Sequence, residues 1–415
     1  MQQLLAATLT TVLGIGSVAA EPDPPPEGLA SAPAADSASG VAVPVPESDH
    51  PIANALLVVP RTIAVFLLTG PRYAAAGIDD YLEGRSADVG MRTASSSGWR
   101  FGAEFTAETE VGPSIALRIG YRIAKHTTVD AYGGLFGARG QSGGLRVTVG
   151  KLTDLELRPT LDFDAGNDLD RAFIGRYEAD ELAVTPALSA KLGPVQLVAS
   201  ARVDRTRNLA DDGDPRAMLV GFDETERAAT EELAVVLDTR RRTHPWVSTA
   251  TWSTGYYVRA AAAYIHGDAS RTGSFSTPRA TFEARRLFDL FHGDRVLTIG
   301  IRGEAVSADD LPFDRLPSLG GRDRMRAFAR DELRDRSSSF AEVQYEWALG
   351  ADSRGYVFVE TGAVADTLTS IGANDVQVGF GGGVRVFTGK TTYLAGQLAG
   401  SDHGDLGFFF QLGAL

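Results

Sequence analysis

From Trp99 onward apolar side chains recur at every second position, a period that belongs to β-strands and not to helices. In Ile115 to Ile123, Ile115, Leu117, Ile119, Tyr121 and Ile123 share one face, while Arg118, Gly120 and Arg122 share the other. Val343, Tyr345 and Trp347 oppose Glu342, Gln344 and Glu346; Leu297, Ile299 and Ile301 oppose Arg302 and Glu304; Leu406, Phe408, Phe410 and Leu412 oppose Gly407 and Gln411. A soluble sandwich also alternates, but Gly and charge mixed on the second face suit a wet barrel lumen. The runs are about ten residues long, close to what a tilted strand needs to cross a bilayer.

The pattern predicts an all-β fold, a 16-stranded antiparallel transmembrane outer-membrane β-barrel. Its strands start near Arg100, Ser114, Thr128, Ser142, Asp154, Asp180, Val195, Ala229, Ser248, Phe275, Asp294, Ser337, Arg354, Asp375, Thr391 and Asp405. Connections alternate between tight turns at Lys151–Thr153, Leu192–Pro194 and Thr388–Lys390 and long polar loops at Ala165–Arg176, Asn208–Arg227 and Ser307–Arg336. Short periplasmic turns and long outer loops are the usual asymmetry of such barrels. Trp99, Trp252, Tyr256, Tyr345 and Trp347 fall where interfacial aromatic girdles sit.

Ahead of the barrel, residues 1–20 form an apolar stretch ending in small residues, as a secretory signal peptide does, although it carries no Lys or Arg. Residues 21–51 are rich in Pro, Ala and Ser and read as a linker. Residues 52–97 read as a short periplasmic or lumenal helical segment, broken near Pro60 and Arg61, and the barrel takes 98–415. Hydrophobic residues make up 44% of the chain, the average of a soluble protein, but a barrel whose alternate residues meet lipid averages the same. The net charge of −13 argues against a nucleic-acid partner, which needs a basic surface. The absence of Cys fits passage through an oxidising compartment.

The segment Arg315 to Arg336 is dense in Arg with interleaved acids. Within it Gly320 and Gly321 supply a tight turn, and Arg326 offers a planar fork of donors close to the aromatic Phe328. The positions Gly320, Gly321, Met325, Arg326, Ala327 and Phe328 resemble the longest loop of the BamA and TamA type of outer-membrane assembly barrel, the bacterial surface antigen family. That family has Gly where this chain has Ala327. It also places an aromatic-x-Asp-x-Gly motif on the second strand after the loop, matched here by Phe358, Glu360 and Gly362, with Glu for Asp. Period two independently sends those three inward, opposite Val357 and Val359. LDTRRRTHP (Leu237 to Pro245) and VGFGGGVRVF (Val378 to Phe387) match further family features, so the resemblance carries motifs from Ala229 to Leu415 and pattern alone before that. The roughly eighty residues between signal and barrel leave no room for the POTRA repeats with which family members receive clients.

No other motif points to chemistry. TGKTT at Thr388–Thr392 lacks the Gly a phosphate loop requires, the His-Gly-Asp strings at His266, His292 and His403 suit turns, and there is no nucleophile elbow. Catalytic residues, metal ligands and cofactors are therefore not expected. The resemblance implies a barrel that assists insertion or translocation of proteins or lipids through a lateral seam, with the Arg-bearing loop latched in the lumen. Its partners would be outer-membrane lipid, a client outer-membrane protein, secreted polypeptide or lipid, and a periplasmic accessory protein. A passive or gated outer-membrane pore and a structural surface antigen are the alternatives.

Overall fold

The computed structural model describes residues 99–108, 112–124, 127–136, 140–149, 157–172, 176–209, 220–241, 252–291, 294–308, 311–350, 353–388 and 391–414. The signal, linker and helical segments expected over 1–97 lie outside the described residues, as does the turn at Lys151–Thr153.

Eighteen strands run in chain order: β1 (Trp99–Glu108), β2 (Gly112–Ala124), β3 (Thr127–Phe136), β4 (Gly140–Val149), β5 (Arg158–Ala172), β6 (Arg176–Leu192), β7 (Val195–Leu209), β8 (Glu224–Asp238), β9 (Gly255–Ala269), β10 (Gly273–Asp289), β11 (Arg295–Val306), β12 (Ser318–Leu319), β13 (Leu333–Arg334), β14 (Ser337–Ala348), β15 (Ser353–Ala365), β16 (Gln377–Thr388), β17 (Thr391–Ser401) and β18 (Leu406–Ala414). Sixteen of them close into one antiparallel barrel, each pairing with its chain neighbour, β11 with β14, and β1 with β18. An even number of strands lets the first and last meet antiparallel and removes every free edge. β12 and β13 form a separate two-stranded ribbon inside the connection from β11 to β14.

The alternation sorts the two faces. Leu117, Leu233 and Val343 stand outward with 57%, 69% and 47% of their surface exposed, while Glu342 and Glu360 point inward at 5% and 1%. A continuous apolar exterior of this size would drive aggregation in water and is the face a barrel presents to lipid. Inside, glycines of β16 give the neighbouring side chains room. A Cβ on Gly379 would sit 3.1 Å from Glu360, one on Gly381 2.6 Å from the Phe358 ring, and one on Gly383 2.5 Å from the Tyr356 hydroxyl. The Gly-rich run is thus a shelf across which β15 lays its large lumenal residues.

Several boundaries differ from the pattern reading. Ala165–Arg176, expected as a loop, is mostly strand, because β5 continues to Ala172 and β6 begins at Arg176. Gly, Asn and Asp there signal turns locally, but pairing of Leu169 to Ala172 with Arg176 to Ala179 carries the ladder past a bulge. The eighth strand starts at Glu224, five residues before Ala229; the described part of the ninth begins at Gly255, and its expected start near Ser248 lies outside the described residues. Tyr256 and Trp252 are exposed near the turn end of β9, and Tyr345 stacks on Trp347 at 5.9 Å; nothing is described of the Trp99 side chain.

Candidate functional site

The connection from β11 to β14 folds back and fills much of one end of the lumen. Two glycines start its tip: Gly320 and Gly321 have φ of 117° and 101°, and a Cβ on Gly320 would lie 2.0 Å from the Ala329 carbonyl oxygen. Only Gly accepts that approach. Gly321 N–H then donates to the Phe328 carbonyl at 3.0 Å and closes the tip. The left-handed residue within the tip is Met325, at φ 50°, whereas Ala327 has an ordinary negative φ. Ala therefore sits at 327 without strain, and the freedom of Gly is not needed there.

The motif residues of β15 each meet this tip. Phe358 lies under the guanidinium of Arg326, whose central carbon is 3.9 Å from the ring centroid. Glu360 accepts the backbone N–H of Arg326 through Oε1, and its Oε2 faces Arg326 Nε at 3.5 Å without a hydrogen bond. Gly362 leaves a recess for the loop, since a Cβ there would be 2.8 Å from the Met325 sulfur and 2.9 Å from Leu319. Leu319, Met325, Ala327, Phe328, Phe340, Tyr356 and Phe358 form one buried apolar cluster around the clamp. Fully burying side chains of the size of Met325 and Phe328 contributes roughly 1.5–3 kcal/mol each.

The family resemblance singled out Arg326 and Glu360 but not Glu342, which is the direct side-chain partner. Arg326 Nη2 donates to Glu342 at 2.8 Å, and Nη1 donates to Gln344 at 3.1 Å. Glu342 and Glu360 stand opposite each other on β14 and β15, so one Arg fork is held between two carboxylates. Alternation already placed Glu342 and Gln344 inward, and only the strand register brings them to the loop.

A second anchor, also missed, pins the base of the loop to a different wall. Phe313 stacks on Phe222 with centroids 4.1 Å apart and meets Tyr177 edge-on at 5.2 Å. Arg315 reaches Asp204 on β7 and, at 3.4 Å, Glu226 on β8. Burial works against its charge, but Asp314, Asp204 and Glu226 hold its pKa above the ordinary arginine value. Arg334 Nη1 donates to the Phe313 carbonyl at 3.2 Å, tying the returning half of the loop to the same anchor. In strand order β7 and β8 lie far around the barrel from β15 and β16, so the loop bridges the bore.

The tip also touches the closing strand. A Cβ on Gly407 of β18 would lie 2.0 Å from the Arg326 carbonyl oxygen, and Arg322 sits over Phe409 at 5.4 Å. Phe409 itself pairs with Glu108 in the ladder that joins β18 to β1. That ladder runs only from Ala103 with Ala414 to Glu108 with Phe409 and is the shortest of the barrel among the described residues. At the opposite end of the barrel, in the turn from β8 to β9, Asp238 holds Arg240 through two side-chain hydrogen bonds of 2.9 and 2.8 Å; residues 242–251 of that turn lie outside the described residues.

No protein-family model and no curated protein matches the sequence. Among solved structures the chain is similar to BamA from Haemophilus ducreyi lacking POTRA domains 1–3, at 10% identity and a TM-score of 0.59 over 77% of this chain and 70% of that one. It is also similar to CdiB from Acinetobacter baumannii, at 11% identity and a TM-score of 0.53 over 76% of this chain and 59% of the other. CdiB from Escherichia coli matches at 11% identity and a TM-score of 0.51, over 75% and 62%. The chain thus spans less than two thirds of either CdiB chain. The shared feature is the fold: this chain is similar to these structures in its closed barrel.

Proposed function

We propose that the protein is an outer-membrane barrel that assists the insertion or translocation of proteins or lipids through a lateral seam between β1 and β18, with the Arg326 loop as a latch in the lumen. The observation that carries this is the contact of one loop with both parts of the device: its tip is clamped by Glu342 and Glu360 and packs on Gly407 of the closing strand. On this reading, motion of the loop would reach the β1–β18 ladder, the shortest among the described residues. No bond is made or broken. The work is a lowered barrier for another chain or lipid to enter the bilayer beside an edge that can open. The fold shared with BamA and CdiB supports this reading and an outer-membrane location.

Depletion followed by quantitative proteomics and lipid analysis of the outer membrane tests it. Loss of many barrels supports general assembly, loss of one product supports a dedicated client, and an unchanged envelope overturns the proposal. A gated pore is the second reading, favoured by the charged cavity along the β10, β11 and β14 wall. It predicts a steady, ion-selective open state in planar bilayers that Arg326→Ala does not alter.

A further inference from the structure

Beside the loop tip the lumen holds a cavity of about 640 Å³, within the size range of small-molecule sites. It reaches from Arg322, Arg324 and Arg326 at the tip to Arg240 and Trp252 near the turn end of the barrel. Its lining carries seven Arg against four Glu or Asp, an excess of three positive charges in a chain whose net charge is −13. Most of these arginines are engaged. Arg285 pairs with Glu283 at 3.0 Å, Arg302 with Glu304 at 3.0 Å, Arg326 with Glu342 at 2.8 Å, Arg385 with Glu346 at 3.3 Å, and Arg240 with Asp238 at 2.8 Å. Arg324 differs: among the described residues no carboxylate forms an ion pair with it. Its pKa is lowered, first by burial and next by Arg302, a second cation on the same cavity wall, and Glu304, Asp331 and Asp323 offset that lowering only in part.

We infer that this cavity is a binding site for a phosphate-bearing ligand that enters from the end at Arg240 and Trp252 and is held by Arg324 and Arg302 under the loop tip. A guanidinium presents paired donors that match two oxygens of a phosphate, and two guanidinium groups brought together in a partly enclosed space are stabilised by an anion shared between them. The ligand would hold the tip down, because Arg324 belongs to the same turn as Arg326. The inference rests on the loop staying in the lumen as proposed above. Arg324 takes no part in the Glu342 and Glu360 clamp, so the two ideas can fail separately.

The test uses the full-length protein in detergent and inorganic tripolyphosphate as probe, followed by calorimetry, with a parallel measurement of phosphatidylglycerol binding against phosphatidylcholine. Wild type is expected to bind one of the anionic probes, and Arg324→Gln to weaken that binding at least tenfold while leaving the melting temperature and the loop's protease protection unchanged. Loss of tripolyphosphate binding in the variant identifies a soluble phosphate ligand; loss confined to phosphatidylglycerol identifies a lipid headgroup. Failure of wild type to bind either probe, or equal binding by Arg324→Gln, overturns the inference. Arg336→Gln, which alters a loop arginine paired with Asp366 and absent from the cavity lining, serves as the control and should bind as wild type. If Arg324→Gln loses the ligand and Arg326→Ala leaves the loop in place, the site stands and the latch falls.

Discussion

Arg326 gives its side chain to Glu342 and its backbone N–H to Glu360, so two carboxylates on adjacent strands hold the same loop residue by different groups. Removing the guanidinium leaves two inward acids facing each other across β14 and β15, with Arg285 at 3.6 Å from Glu342 as the cation that remains beside them among the described residues. Breaking one side of a buried pair costs about 3–5 kcal/mol. Arg326→Ala should therefore loosen the tip and raise tryptic cleavage after Arg322 and Arg324. Arg326→Ala with Glu342→Ala should be less destabilised than the sum of the single changes, with a coupling of about 0.5–3 kcal/mol in a double-mutant cycle. Additive effects would mean that the pair does not hold the tip.

Glu360 separates a structural contact from a charged one. Glu360→Gln keeps an oxygen to accept the Arg326 N–H but surrenders the ion pair with Nε at 3.5 Å. Because that Nε makes no hydrogen bond, the loss should be small, about 1 kcal/mol or less by denaturant titration, while Glu360→Ala should cost clearly more. Equal costs would assign the whole contribution to charge.

What was legible in the sequence divides along the range of the interactions. Period-two alternation needs only neighbouring residues, so the barrel, its sixteen strands and the inward direction of Phe358, Glu360 and Gly362 could all be read from it. The Gly320–Gly321 turn was readable for the same reason. Glu342 was visible as an inward acid but not as the partner of Arg326, because that pairing depends on register and on where the loop comes to rest. The Phe313 and Arg315 anchor was invisible. Its partners Tyr177, Asp204, Phe222 and Glu226 lie about 90 to 140 residues earlier, and no local pattern marks them as contacts of the loop. Local turn signals also misled, since Gly166 and Asn167 sit in a strand bulge and not in a loop.

The seam offers a direct test because the chain has no cysteine of its own. Thr106 and Gln411 stand opposite each other on β1 and β18, at the Cα spacing of an antiparallel pair, which a disulfide can bridge. The double change Thr106→Cys and Gln411→Cys should form a bridge on oxidation and shift mobility on a non-reducing gel. If the seam must open, the oxidised protein should lose assembly activity and a reductant should restore it. Full activity of the bridged protein would rule out opening at that seam.

Gly362 should not tolerate a side chain, because the recess it leaves is filled by Met325 and Leu319. Gly362→Val would push against both and should displace the tip even with Arg326 intact, with a loss of about 1–3 kcal/mol from overpacking. Gly303→Val is the matched control on the outer face of β11, where a Cβ meets only the Ser338 carbonyl oxygen at 3.9 Å. It should fold and protect the loop as wild type does, so a defect shared by both variants would point to lost strand flexibility and not to the recess.

The two anchors predict a combined behaviour that neither shows alone. Phe313→Ala removes a ring stacked 4.1 Å from Phe222 and, like other buried aromatic truncations, should cost about 3–5 kcal/mol locally. The clamp at Arg326 would still hold the tip, so sites after Arg322 and Arg324 should stay protected from trypsin in this variant. Conversely, Arg326→Ala should free the tip while Arg315 keeps the base tied to Asp204 and Glu226. Only the double variant loses both walls. Because every 1.4 kcal/mol is a factor of ten in population, the fraction of barrels with the loop out of the lumen should rise far more in the double variant than in either single one. Planar-bilayer conductance reads that fraction directly: small changes in each single variant and a large open conductance in the double are expected. A fully open pore in Phe313→Ala alone would show that the base carries the whole closure and that Arg326 does not act as a latch.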